Sequence, residues 1–188
     1  MFDKIQKQLE GTARAAAICG GAAMTFAAFM VTFDVISRKL FGVTMSGADE
    51  ITGYIFAVAT TWAYAHCIFT RSNIRIDVGY LQFGTRGRAL LDIFALGLLT
   101  IYLFLLTRSS LSVLEESWKY NYTAQTPLAT PLWLPQGFWL AGLTFAFLCI
   151  GFLCIRSLTH LFRKEWAEIN AISGIRSVEQ DVKEETHV

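Results

Sequence analysis

The chain has 188 residues, 54% of them hydrophobic and only 16% charged, with a formal net charge of +1. A soluble domain carries about 25% charged residues, so a soluble globular protein of this length lacks the polar surface to cover its own core. The near-zero net charge offers no broad basic surface, and nucleic acid is not an expected partner.

The charges are clumped. Ala15–Phe33 is a run of 19 residues without one, Ile51–Thr70 a run of 20, and Tyr120–Ile155 a run of 36; Ala89–Thr107 has only Asp92. Crossing a bilayer core of roughly 30 Å takes about 20 mostly apolar residues. The expected fold is therefore an all-α integral membrane protein with four transmembrane helices, over about 15–37, 50–70, 89–118 and 136–158.

In chain order, residues 1–14 come first. Phe2, Ile5, Leu9 and Ala13 recur at helical spacing among Asp3, Lys4, Lys7, Glu10 and Arg14. That pattern predicts a short amphipathic helix lying in the lipid headgroup plane. The first apolar run is too long for a secretory h-region and meets no small-residue cleavage site, so it is read as a helix that stays. At its end, Asp34 and Arg38 share a face at i and i+4 and can pair. Both are candidates for a contact with another subunit.

"SGADEIT" at 46–52 opens the second helix, with Ser46 as the predicted N-cap and Asp49 and Glu50 in the first turn. Capping accounts for Asp49 and explains Glu50 only in part, since one acidic residue would be enough, so both enter as interface candidates. After the helix, Ile74, Ile76 and Val78 alternate with Arg75 and Asp77. These two charges could pair with lipid phosphates, with each other or with a subunit. Asp92 lies one turn from Arg88 and is expected to pair with it.

"TPLATPLWLPQGFW", residues 126–139, holds all three prolines, Pro127, Pro131 and Pro135, with Trp133 and Trp139. Proline cannot continue a helix and pushes its predecessor toward extended conformations. The tryptophans suit the headgroup level. The stretch reads as a re-entry corner for helix four, and its lack of charge also suits it to lie against another membrane protein. Pro131, Trp133 and Pro135 complete the interface candidates. Residues 161–188 form a polar tail.

Twelve of the 16 Lys and Arg residues lie in the N-terminal segment, the loop after helix two and the C-terminal tail. The positive-inside rule then places both termini in the cytoplasm and the proline segment outside. Cys19, Cys67, Cys149 and Cys154 all fall in apolar runs with no C-x-x-C spacing, as small hydrophobes would. His66 is the one histidine inside an apolar run, whereas a haem held by two histidines needs a second at matching depth. No nucleophile, phosphate loop or metal cluster is present in the pattern, so no enzyme and no cofactor are expected.

Taken in order, Asp34 and Arg38, Asp49 and Glu50, the turn Ile74–Arg75–Ile76–Asp77, and the corner Pro131, Trp133, Pro135 resemble the small membrane subunit of tripartite ATP-independent periplasmic (TRAP) transporters, the DctQ-like family. The resemblance covers roughly residues 15–160. It departs at Asn73, where the family often has histidine. What it implies is a scaffold for a large, DctM-like membrane subunit that carries the substrate and sodium sites. It further implies a periplasmic substrate-binding protein that delivers an organic anion, and a complex that sits in the bacterial inner membrane among its lipids. The alternatives are a four-helix cytochrome b-like electron carrier and a small multidrug exporter. The first is opposed by the histidine count and the second by Asp34, which lies near the end of its run rather than deep within it.

Overall fold

The computed structural model describes residues 2–72, 83–163, 165, 166 and 169. Among them are four α-helices: α1 Phe2–Phe41, α2 Ala48–Thr70, α3 Thr85–Lys119 and α4 Trp133–Phe162. Asn73, Arg75 and Asp77 lie outside the described residues. Three of these helices, α1, α3 and α4, are long and apolar enough to cross a membrane. The 23-residue α2 is long enough, but no stretch of it is as apolar as the spans in the other three, because Thr52, Tyr54, Thr60, Thr61, Tyr64 and His66 are spread along it.

The expected break between an interfacial helix over residues 1–14 and a separate span from residue 15 does not occur: α1 runs through without interruption for 40 residues. The reason is local. Gly11 is followed by Thr-Ala-Arg-Ala-Ala-Ala, whose alanines are the best helix formers, and no proline intervenes. At 1.5 Å per residue α1 is about 60 Å long, twice a bilayer core. The other helices also outrun their expected ends, α4 by starting at Trp133 rather than near 136. Pro135 therefore lies inside its first turn, where a missing N–H breaks no helical bond.

Helix ends are set by left-handed residues. Gly42 (φ 67°) follows α1 and its N–H reaches the Arg38 carbonyl at 3.2 Å. After α3, Asn121 (φ 53°) allows Tyr122 N–H to bond the Ser117 carbonyl at 3.1 Å. Arg71 (φ 56°) does the same after α2, with Ser72 N–H on the Cys67 carbonyl at 3.2 Å. The last two are Schellman closures, which satisfy otherwise orphaned carbonyls.

The chain divides into two compact units, and the division falls within α2, α3 and α4. One comprises Met1–His66 and Leu103–Leu148, the other Cys67–Tyr102 and Cys149–Val188. In the first, Ala13, Gly20, Ala27 and Asp34 are buried along α1 at seven-residue intervals, a narrow seam of small residues. Positions flanking this seam are half-buried, and the far side of α1 is exposed, including Ile18, Phe26, Phe29 and Phe33. A Cβ on Gly20 would lie 3.3 Å from that of Ala59. One on Gly142 would lie 2.6 Å from Thr61 Oγ1 and 2.7 Å from Trp62 Cδ1, so glycine is what lets α4 approach α2. Trp62 Nε1 donates to the Phe138 carbonyl at 3.0 Å and its ring stacks on Phe145. Without a strong hydrophobic drive between helices in lipid, such close approach supplies the packing.

In the second unit the buried side chains include Ile68, Ala89, Asp92, Leu96, Ile150, Leu153 and Ser157. His160 Nδ1 lies 2.6 Å from Glu165 Oε2, and Arg88 Nε donates to the Phe83 carbonyl at 2.7 Å.

Candidate functional site

Of the acidic residues singled out in the sequence, Asp34, Asp49 and Glu50 gather, with the proline segment, where α1 ends, α2 begins and α3 passes into α4. All belong to the first unit. Asp34 is 3% exposed. Its carboxylate accepts from Arg38 Nη2 at 2.5 Å, from Thr44 Oγ1 at 3.1 Å and from the Met45 backbone N–H at 2.5 Å. The expected i,i+4 pair with Arg38 is present, and it is half of the arrangement. The other half ties the last turns of α1 to the connection into α2. A carboxylate at this depth is costly unless its acceptors are filled, and here three donors converge on it.

The first helical bond of α2 runs from Ile51 N–H to the Gly47 carbonyl at 3.0 Å, so the N-cap is Gly47 rather than Ser46. Gly47 has φ 94°, and a Cβ there would collide with the Leu128 side chain of the proline segment. Both the backbone angle and the contact require glycine. Asp49 is exposed in the first turn, where its charge favours the helix N-terminus.

Glu50, which helix capping explains only in part, reaches the proline segment. Its Oε2 accepts from Thr126 Oγ1 and its Oε1 accepts from Tyr54 OH at 2.8 Å. Thr130 approaches the same carboxylate through its hydroxyl and backbone N–H. The segment so held is folded. Thr123 and Pro131 form an antiparallel bridge, with Ala124 N–H on the Thr130 carbonyl at 3.0 Å and Leu132 N–H on the Tyr122 carbonyl at 2.9 Å. At its tip Ala129 N–H bonds the Thr126 carbonyl at 3.0 Å, with Pro127 at the turn position its fixed φ suits. Trp133 at the start of α4 meets Trp118 of α3 edge to face, ring centroids 4.9 Å apart.

The structure thus brings Asp34 and Arg38 together, and Glu50 with the loop that carries Pro131. It does not bring Asp34 and Glu50 onto a common partner. Sequence reading missed Thr44 and Met45 for Asp34, and Thr126 and Thr130 for Glu50. Thr126 lies 76 residues from Glu50, and no local spacing rule reaches that far. The available signal was an acidic residue beyond the needs of capping, together with threonines in a loop that has no charge of its own.

A groove of about 620 Å³ in the same unit is lined by Ala16, Cys19 and Ala23 of α1, Val58 and Trp62 of α2 and Phe138 of α4. Cys19 is exposed there, not buried as a core thiol would be.

Three long apolar helices, with the Asp34 and Glu50 carboxylates satisfied inside the chain, define a multi-pass helical membrane protein. A family model described as "Tripartite ATP-independent periplasmic transporters, DctQ component" matches residues 27–165, from the second half of α1 through the end of α4. The chain belongs to this family and is a small membrane subunit of a TRAP transporter. The match does not favour the electron-carrier alternative. No curated protein and no solved structure matches the chain.

Proposed function

We propose that this subunit is a membrane scaffold for a DctM-like large subunit, in a system that imports an organic anion with a sodium gradient. A periplasmic binding protein delivers the anion, and the complex resides in the bacterial inner membrane. The observation that carries the reading is the family match across residues 27–165. The open apolar flank of α1, with Phe26, Phe29 and Phe33 exposed, supports it, because a scaffold needs surface for lipid and for a partner. In this reading α2 is the fourth span, shielded by neighbours and so tolerant of its threonines and His66. In this reading both termini are cytoplasmic, the side the positive-inside rule favours for twelve of the 16 Lys and Arg residues. The residues proposed to form the face toward the partner, or to hold it in shape, are Asp34, Arg38, Asp49, Glu50, Arg75, Asp77, Pro131, Trp133 and Pro135.

The test is reconstitution in liposomes under a sodium gradient. The chain with its large subunit and binding protein should take up an organic anion, and the chain alone should take up none. Uptake by the chain alone overturns the scaffold reading. Alkaline phosphatase fused after Val188 should be inactive and fused near Asn121 active; the reverse pattern overturns the topology.

A further inference from the structure

We propose that Glu50 is a positioning residue. Its carboxylate holds the α3–α4 loop closed, and the closed loop, not the Glu50 charge, is what the large membrane subunit meets. The second half of this inference rests on the scaffold reading; the first does not.

The argument starts from what the carboxylate touches. Both oxygens are engaged within the chain, one by Tyr54 OH and the other by Thr126 Oγ1, with Thr130 adjacent. A charge so occupied is poorly placed to pair with a second protein. Its partners, however, bracket the tip of the loop. Thr126 opens the turn closed by the Ala129 amide, and Thr130 carries the carbonyl that receives the Ala124 amide. Two positions inside this loop, Asn121 and Ala129, hold left-handed backbone. For alanine that conformation costs free energy and persists only where surroundings over-determine it. Glu50 from one side and Leu128 packed on Gly47 from the other supply that constraint.

The loop itself carries no charge and presents an aromatic surface, with the Lys119 ammonium at its edge, 5.3 Å from the Tyr120 ring centre. No Asp, Glu, Lys or Arg occurs from Tyr120 to Ile155, while Trp118, Tyr120, Tyr122 and Leu128 are exposed. Tyr120 and Tyr122 stack with centroids 5.6 Å apart. Aromatic enrichment with charge depletion is the composition of an interface core, and a surface already rigid loses little entropy on binding. Trp118 and Trp133 mark the headgroup level, so the partner that reaches this surface is another membrane protein rather than a soluble one.

Charge and geometry separate cleanly by mutation. Glu50→Gln removes the charge but keeps an amide that can accept from Tyr54 and exchange a hydrogen bond with Thr126. Thr126→Val with Thr130→Val keeps the charge but removes the hydroxyl donors. Glu50→Ala removes both. Amide hydrogen exchange on the purified chain reads the loop directly. Peptides covering 121–134 should exchange roughly tenfold faster in Glu50→Ala and in the double valine variant, with peptides from 15–30 of α1 unchanged and Glu50→Gln close to wild type. Co-purification with a tagged large subunit should fall several-fold in the same two variants and hold in Glu50→Gln.

Unchanged loop exchange in Glu50→Ala overturns the positioning role, whatever the partner does. A loosened loop with full co-purification overturns the docking half. Loss of co-purification in Glu50→Gln alone shows that the charge itself is the contact and also overturns it. If wild type fails to co-purify, the scaffold reading falls, and loop exchange still decides whether Glu50 positions the loop.

Discussion

The middles of α1, α2 and α4 and the ends of the same helices are held by opposite means. In the middle, contact is made by what is missing: Gly20 against Ala59, and Gly142 against Thr61 and Trp62. At the ends, it is made by carboxylates. Asp34 gathers Arg38, Thr44 and Met45, and Glu50 gathers Tyr54 and Thr126. The difference follows depth and chain geometry. Two helices side by side have satisfied backbones and need only close packing. A connecting segment has unpaired N–H groups and hydroxyls and needs acceptors. Changes in the middle should therefore disturb the whole unit, and changes at the ends should disturb one loop.

The largest effect should come from Gly142→Val. Even a Cβ would crowd Thr61 and Trp62, so the helices must part, at a cost of at least about 3 kcal/mol, the upper end for overpacking. Thermal melting in detergent should show a large fall or loss of folded protein; near-wild-type melting would mean that α4 does not depend on this close approach. Trp133→Ala comes next. A fully buried tryptophan costs about 3–5 kcal/mol to truncate, and Trp133 is half-buried, so about 2 kcal/mol is expected. Its edge-on partner Trp118 is 65% exposed. Trp118→Ala should lose little beyond the ring pair, about 0.5–1.5 kcal/mol, and a double-mutant cycle of the two should recover that coupling.

The smallest global effect should come from Asp34→Asn, which keeps one acceptor oxygen for Met45 and Thr44. Melting should stay near wild type, while peptides spanning 42–48 exchange faster. A collapse of melting in this variant would erase the distinction between ends and middles and make the Asp34 clasp part of the core.

Most of the helical plan was legible in the sequence because it rests on composition. Charge-free runs of about 20 residues must be helices in lipid, since no other open structure satisfies its own backbone there. The Asp34–Arg38 pair was legible too, because i,i+4 geometry is local. Ser46 was misread as the cap because the pattern of side chains does not disclose that the chain enters α2 through a left-handed glycine.

Residues 27–165 by themselves fixed the family, and the runs from Ala15 to Ile155 fixed the helices. Both are statements about residue type and order. Tertiary structure decided the rest: that Gly47 is needed because Leu128 lies against it, and that Glu50 belongs to a loop 76 residues away. The physical reason is the range of the forces involved. Hydropathy and helix geometry act within a few residues along the chain. A hydrogen bond between Thr126 and Glu50 exists only once two separate helix ends have been brought to the same place.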